Sequence, residues 1–113
     1  MPYKILEHTA DVRMFVEADS LEKLFSDAVY GMIEILKPRV EDKKKKIERT
    51  IIVEAVDTTA LLIDFLNEVL LSVHLNKEMY DEVIFKNFSL HSLEATLHGF
   101  TASSLDEDIK AVT

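Results

Sequence analysis

Cysteine is absent from the 113-residue sequence, and glycine and proline occur only twice each. Without cysteine the chain can form no disulfide framework, no zinc ribbon and no thiol nucleophile. The scarcity of glycine and proline, together with an apolar content of 48%, argues against a disordered chain or a fibrous repeat. We therefore expect a folded core that is held together by the burial of apolar side chains.

Long hydrophobic runs are also lacking. No apolar stretch reaches the roughly 18 residues that a membrane-spanning helix needs. The first residues, Met1 to His8, have no cationic region followed by the longer apolar region of a secretory signal. The expectation is a soluble, cytoplasmic protein that does not associate with membranes, with one domain over residues 1–113, because single cores are typically built from about 100–150 residues.

Positive charge is in short supply, with 13 basic residues against 21 acidic ones and a net charge of −8. Nucleic-acid binding depends mainly on Lys and Arg placed against phosphates, so direct binding of RNA or DNA is not expected. Divalent cations and basic proteins are the partners that this charge favours. The basic cluster at Lys43–Lys46 is interpreted as a solvated linker, with a phosphate-binding patch as the less favoured alternative.

Two helices are predicted from apolar residues at spacings of three and four. The first runs over Leu21–Leu36 and follows a capping-box pattern at Asp19–Glu22. The second runs from about 59 to 74, with Asp57 or Thr58 as its N-cap. The second helix is apolar around most of its circumference, which indicates deep burial.

Alternating and β-branched residues predict strands around both helices. The predicted strands are Tyr3–Leu6, Val12–Ala18, Ile47–Val56, Glu82–Leu90, Leu93–His98 and Ile109–Thr113, with a hairpin connection at Leu90–Ser92 and a loop over Gly99–Glu107. In the third strand, Ile47, Arg49, Ile51 and Val53 share one face. The order β-β-α-β-α-β-β-β predicts an α+β fold of two layers, with two helices packed on one face of a mixed β-sheet.

The polar corner between the first two strands, His8–Asp11, is the most informative segment for function. Asp11 is a candidate ligand of a hard divalent cation, and His8 and Thr9 are its candidate neighbours. The alternative is that Asp11 and Thr9 are ordinary turn residues that satisfy nearby N–H groups, and that His8 is a structural histidine. The residues alone favour this second interpretation, because one carboxylate does not make a site.

A second polar cluster lies on the second predicted helix. Asp64, Asn67 and Glu68 are separated by three and one positions, so they share one side of a helix that is otherwise apolar. They could form an acid/base pair, but a simple polar edge of the helix is the favoured interpretation. The remaining histidines are assigned structural positions: His74 at a helix end, His91 in a turn and His98 on an outer strand face.

Three segments together resemble the archease family. The first is Glu7–Val12 with the helix start Leu21–Phe25, the second is Leu61–Glu68, and the third is Asp108–Thr113. Their order and their strand or helix contexts cover nearly the whole chain, so the match is specific.

The resemblance implies a protein that activates the RtcB-type tRNA-splicing RNA ligase and is not an enzyme itself. Members of the family promote guanylylation of the ligase, so that it turns over repeatedly, with GTP at the interface that the two proteins share. They carry a divalent-metal site associated with calcium, for which Mn²⁺ and Mg²⁺ are the alternatives. The aspartate of the His-Thr-Ala-Asp segment is a ligand in that site, and this role transfers to Asp11.

Three departures from the family pattern accompany the resemblance. The family's last motif continues beyond the threonine into an aromatic residue, a histidine and a final strand with an acidic segment that supplies further metal ligands. The sequence ends at Thr113 with no counterpart of these ligands, so the domain is expected to lack the family's C-terminal segment here, either as a shortened form or because the sequence omits part of the natural chain. The stretch Gly99–Asp108 is shorter than usual, and Arg13 replaces a small residue.

Two alternatives from other functional classes stay open. The first is a general chaperone-like interaction module whose acidic face docks on basic proteins. The second is a metal-dependent hydrolase that uses Asp11 and the acids of the second helix. Stimulation that is specific for the ligase would separate the activator from the general module, and turnover without a ligase would favour the hydrolase.

Overall fold

The computed structural model describes residues 3–7, 12–36, 38–39, 46–102, 104–105 and 112. The helices and strands in chain order are β1 (Tyr3–Glu7), β2 (Val12–Val16), α1 (Leu21–Leu36), β3 (Pro38–Arg39), β4 (Lys46–Glu54), α2 (Thr58–Asn76), β5 (Glu78–Lys86), β6 (Ser92–Thr101) and β7 (Ser104–Leu105).

The strands of the described residues pair only in antiparallel fashion. β1 pairs with β2, the short β3 pairs with β7, and β4, β6 and β5 form a three-stranded sheet in that order. The predicted α+β class is confirmed, and within these ranges the sheet is antiparallel rather than mixed.

Both helices pack against the same face of the three-stranded sheet, and the core lies between the two layers. Phe25 of α1 stacks on Phe65 of α2 with ring centroids 6.1 Å apart, and the ring of Phe85 on β5 lies 5.7 Å from that of Phe65. The largest fully buried side chains are Tyr80, Phe25, Phe65, Leu36, Leu61, Leu93, Leu97, Glu78, Val29, Val69 and Val73. This is the two-layer arrangement that the amphipathic patterns predict.

Helix α1 has the predicted bounds, but its N-terminal cap differs from the prediction. The side chain of Ser20, not Asp19, accepts a hydrogen bond from the backbone N–H of Lys23 at 3.2 Å. The Ser20 carbonyl also accepts from the N–H of Leu24. Ser20 is one position closer to the helix, where a hydroxyl reaches the third N–H of the first turn.

Helix α2 begins at the predicted cap. Asp57 has extended backbone angles, and its carboxylate accepts from the N–H of Ala60 at 2.7 Å. The helix continues two residues beyond the predicted end and stops at Lys77, whose φ of 54° lies in the left-handed region. By length and mean hydropathy α2 could span a membrane, a property that it shares with core helices of soluble proteins.

Strand β5 begins at Glu78, four residues before the predicted start. The left-handed turn at Lys77 leads the chain from α2 into the strand with no further loop, which sequence patterning did not reveal. A bulge at Asp81 then changes which residues face the helices. Tyr80 faces inward before the bulge, and Val83 and Phe85 face inward after it.

Strand β6 extends to Thr101, into the region that was predicted as a loop over 99–107. Its last residues pair with the early start of β5, so Thr101 lies opposite Glu78. The loop prediction was also wrong at Ser104–Leu105, which pair with β3. The predicted last strand lies outside the described residues except for Val112, which is not in a strand. The predicted hairpin is confirmed, but its predicted bounds were wrong: β5 ends at Lys86, so the connection is 87–91 and not Leu90–Ser92.

Candidate functional site

The predicted metal corner lies between the strands of the N-terminal hairpin. Glu7 and Val12 form the last described pair of the β1–β2 ladder. His8, Thr9 and Asp11 lie outside the described residues, so the assignment of Asp11 as a metal ligand stays a prediction.

In the second predicted cluster, on α2, one residue forms hydrogen bonds within the protein and the other two lie on the surface. The side-chain amide of Asn67 donates to the carbonyl of Val112 at 3.0 Å, and its oxygen accepts from the N–H of Val112 at 2.8 Å. The same amide nitrogen donates to the carbonyl of Ile63, one turn earlier. Asp64 and Glu68 are exposed to solvent.

The contact between Asn67 and Val112 has the pattern of a strand pairing. One side-chain amide satisfies both the backbone N–H and the backbone carbonyl of a single residue, as a neighbouring strand would. Val112 also packs against the hydrophobic core. Asn67 therefore binds the backbone of Val112 and holds that residue against α2.

An ion pair between a buried carboxylate and a half-exposed guanidinium is the strongest polar feature of the described structure, and it was not predicted as a pair. Arg49 on β4 donates from Nε and Nη2 to the two carboxylate oxygens of Glu78 on β5, both at 2.9 Å. The Glu78 side chain is 3% exposed, whereas that of Arg49 is 45% exposed. The hydrogen bonds and charge of Glu78 raise the pKa of Arg49 above its ordinary value.

Hydrogen bonds through two hydroxyl groups connect the ion pair to helix α2. Tyr80 donates to Glu78 at 2.9 Å, and the hydroxyl oxygens of Tyr80 and Ser72 are 2.6 Å apart. Asn76 donates to the Ser72 hydroxyl at 3.1 Å. Burial raises the pKa of the Tyr80 phenol well above its ordinary value, with the bond to Glu78 adding to the rise and the bond to Ser72 opposing it.

The sequence contained one signal for this network. Arg49 shares a strand face with three β-branched residues that point to the core, which is an unusual position for an unpaired cation. Its partner could not be inferred, since Glu78 lay outside every predicted strand. The register explains how the Arg49 side chain crosses β6 to reach Glu78. On β6, Gly99 lies midway between the residues that pair with Arg49 and with Glu78, and it has no side chain to block the path.

The other polar groups in the described ranges do not form a metal-binding cluster. Over 12–36 and 46–102, no three His, Asp or Glu side chains are grouped closely enough to hold a metal ion. His98 lies on the outer face of β6, with Nε2 4.0 Å from a carboxylate oxygen of Glu48. A shallow depression of about 290 Å³ is lined by Ser20, Leu21, Glu22, Phe88, Ser89 and Leu90.

Comparison with known proteins gives a consistent result. The model of the archease protein family matches residues 3–113. The archease of Methanosarcina mazei is 29% identical over 80% of this chain, and that of Thermoplasma volcanium is 29% identical over the whole chain and 86% of its own length. The chain spans 58% of the length of the Methanosarcina mazei protein.

A solved structure agrees on the fold. The solution structure of protein 1598 from Methanobacterium thermoautotrophicum superposes with a TM-score of 0.67 and covers 99% of this chain and 84% of that one, at 20% sequence identity. This likeness supports the α+β architecture, and the family match extends over the hairpin, both helices and the sheet. The chain belongs to the archease family.

Proposed function

We propose that this chain is an accessory protein of RNA processing that activates the RtcB-type tRNA-splicing RNA ligase. In this role it promotes guanylylation of the ligase and allows multiple turnover, and it does not join RNA itself. The observation that carries the proposal is the match of the archease family model over residues 3–113. The fold and the order of the segments that resemble the family support it.

The proposal includes a divalent cation, held in part by Asp11. Calcium is the expected ion, with Mn²⁺ and Mg²⁺ as alternatives, because carboxylate oxygens suit hard cations. A cation bound at the shared interface would help to orient the phosphates of GTP during nucleotidyl transfer. The pairing of Glu7 with Val12 supports this role, since it brings together the two ends of the segment that contains Asp11.

The charge of the chain supports a protein partner over a nucleic acid. With a net charge of −8, the surface repels phosphate backbones and attracts proteins that carry basic surfaces. An enzyme that binds tRNA needs such a basic surface. The proposal is therefore a cytoplasmic complex of the two proteins that involves neither a membrane nor direct RNA binding by this chain.

A time course of ligase guanylylation tests the proposal. Purified ligase, GTP and metal are mixed with the wild-type chain, with Asp11→Ala or with no added protein. Wild type should accelerate covalent GMP incorporation, and Asp11→Ala should lose the acceleration while its circular dichroism spectrum stays unchanged. Asp19→Ala removes an exposed carboxylate elsewhere and serves as the matched control, which should retain full stimulation.

The outcomes separate the alternatives. Full stimulation by Asp11→Ala would overturn the metal-ligand assignment. Binding of many unrelated basic proteins with no acceleration of guanylylation would favour a general chaperone-like module. Turnover of a phosphoester substrate with no ligase present would favour a metal-dependent hydrolase.

A further inference from the structure

The outer face of the three-stranded sheet is turned away from both helices. The pairing register gives the cross-strand rows on this face, in the order β4, β6, β5. The three central rows are Glu48–His98–Glu82, Thr50–Thr96–Ile84 and Ile52–Glu94–Lys86. The middle row carries no charge, and charged rows flank it on both sides.

The uncharged part of the outer face is open to solvent and includes two aliphatic side chains. Ile52 is 69% exposed and Ile84 is 45% exposed. They lie on the two edge strands in adjacent rows, about 12 Å apart given two strand spacings and a two-residue step along the strand, and together with Thr50 and Thr96 they form the apolar centre of the face. Glu94 lies beside Ile52 on β6. Two aliphatic side chains on one open sheet face are the kind of group that an interface buries.

Among the described residues, the rim of the outer face carries an excess of negative charge. Four glutamates and two lysines surround the apolar centre there: Glu48, Glu54, Glu82, Glu94, Lys46 and Lys86. Within the described part of the face, a partner with basic groups around an aliphatic centre is therefore complementary in both charge and polarity.

We infer that the outer face of the sheet is a docking surface for a protein with an apolar patch bordered by Lys and Arg. This inference rests on the proposed function and identifies the partner surface as part of the RNA ligase, which needs Lys and Arg to bind RNA. A second copy of the chain would bring two acidic rims together. RNA would meet the same repulsion, so a basic protein surface is the favoured occupant.

Binding of the purified ligase tests the docking surface, with metal and GTP present. The variant Ile52→Ser/Ile84→Ser removes the apolar centre, and Leu71→Ser removes a half-exposed leucine from α2 as the matched control. All three substituted positions are exposed to solvent, and circular dichroism checks that both variants fold. The centre variant should bind at least about tenfold more weakly than wild type, and the control should bind as wild type does.

The rim is tested through salt dependence. Glu48→Lys/Glu82→Lys should weaken binding and flatten its dependence on salt concentration. Glu17→Lys/Asp19→Lys changes the net charge by the same amount at exposed positions before α1, and should have a smaller effect. An equal effect of the two pairs would mean that net charge, not this face, governs binding, and would overturn the inference.

Failure of the docking surface can be told from failure of the proposed function. If wild type binds and stimulates the ligase, and the centre variant does so equally well, the assignment of the docking surface is wrong and the proposed function stands. If wild type neither binds nor stimulates the ligase, both are wrong. A wild-type dimer in sedimentation that Ile52→Ser/Ile84→Ser dissociates would assign the face to self-association and overturn the inference.

Discussion

At the scale of single residues, Tyr80 shows how a buried polar atom can be fully satisfied. Its hydroxyl lies between the carboxylate of Glu78 and the hydroxyl of Ser72, within hydrogen-bond distance of both. Since Tyr80 is 1% exposed, no solvent replaces these partners when one is lost. An unsatisfied buried group costs more than a hydrogen bond contributes, so such networks are sensitive to single substitutions.

We predict that Tyr80→Phe lowers the free energy of unfolding by about 1–2 kcal/mol at pH 7, as measured by urea denaturation. The substitution should also change the response to alkaline pH. Burial raises the pKa of Tyr80 in the folded state, so the unfolded chain loses the phenolic proton first. Stability is therefore complete below about pH 10, the ordinary pKa of tyrosine, and falls as pH rises above it.

The control for this prediction keeps the phenol. Ser72→Ala removes one partner of Tyr80 but should retain the alkaline loss of stability. Tyr80→Phe should show a smaller loss over the same pH range. An equal alkaline loss in wild type and Tyr80→Phe would contradict the role given to this side chain.

Asn67 supports a second prediction at the residue scale. Asn67→Ala should destabilise the fold by about 1–2 kcal/mol, because both backbone groups of Val112 lose a partner. Hydrogen exchange at the Val112 amide should become faster. Asn67→Asp keeps the acceptor for that amide and should be intermediate, whereas Glu68→Ala, on the exposed side of α2, should stay within about 0.5 kcal/mol of wild type. Unchanged exchange at Val112 in Asn67→Ala would show that the contact is not formed in solution.

At the scale of the elements, the pairing of β5 with β6 depends on a close approach at Gly99. A Cβ atom added there would meet the carbonyl oxygen of Met79 at 1.9 Å and the Cα of Tyr80 at 2.8 Å. Both are backbone atoms, so no side-chain rotation can relieve the clash. The approach occurs beside the bulge, where the β5 backbone departs from regular register.

Gly99→Ala should therefore separate the two strands near the bulge and destabilise the protein by about 3 kcal/mol, as measured by urea denaturation. Thr96→Ala on the outer face of the same strand is the control and should cost less than about 1 kcal/mol. Amide exchange should accelerate at the N-terminal end of β5 in the Gly99 variant alone. A Gly99→Ala protein as stable as wild type would refute the close approach.

The elements also show where sequence patterning succeeded. Helix α1 and the cap of α2 follow from side chains that act within a few residues, so local spacing was sufficient. The start of β5 depends on a left-handed residue, Lys77, and the extension of β6 depends on pairing with that early start. Neither the start of β5 nor the extension of β6 can be predicted from the residues next to it in the sequence.

The polar residues of the candidate site also differ in how far the sequence could predict them. The role of Asp11 was inferred from resemblance, not from spacing. The ion pair joins Arg49 to Glu78 across 29 positions and two strands, so its existence could be suspected from Arg49 but its partner could not be named.

At the scale of the whole molecule, both helices and the three-stranded sheet share one core beneath an acidic surface. The apolar interior fixes the architecture, while the excess of carboxylates bears on association. Charge of one sign steers partners of opposite sign and repels phosphate backbones over a distance of about 10 Å at ordinary salt.

We therefore predict that the chain alone leaves tRNA unshifted in a gel assay at about 0.15 M salt, whereas the ligase shifts it. The chain should change the mobility of the tRNA band only when the ligase is also present. A control with the net charge reduced by Glu17→Lys/Asp19→Lys should also leave free tRNA unshifted. Direct retardation of tRNA by the wild-type chain would contradict the inference from charge.

The bulge at Asp81 makes β5 intolerant of insertions and deletions, unlike the connection that follows the strand. Because side chains alternate along a strand, losing one residue here would turn Glu82, Ile84 and Lys86 toward the helices and expose Val83 and Phe85. Relatives that keep this core should therefore conserve the residue count between Lys77 and Lys86. The connection at 87–91 is under no such constraint, so differences in length should accumulate there.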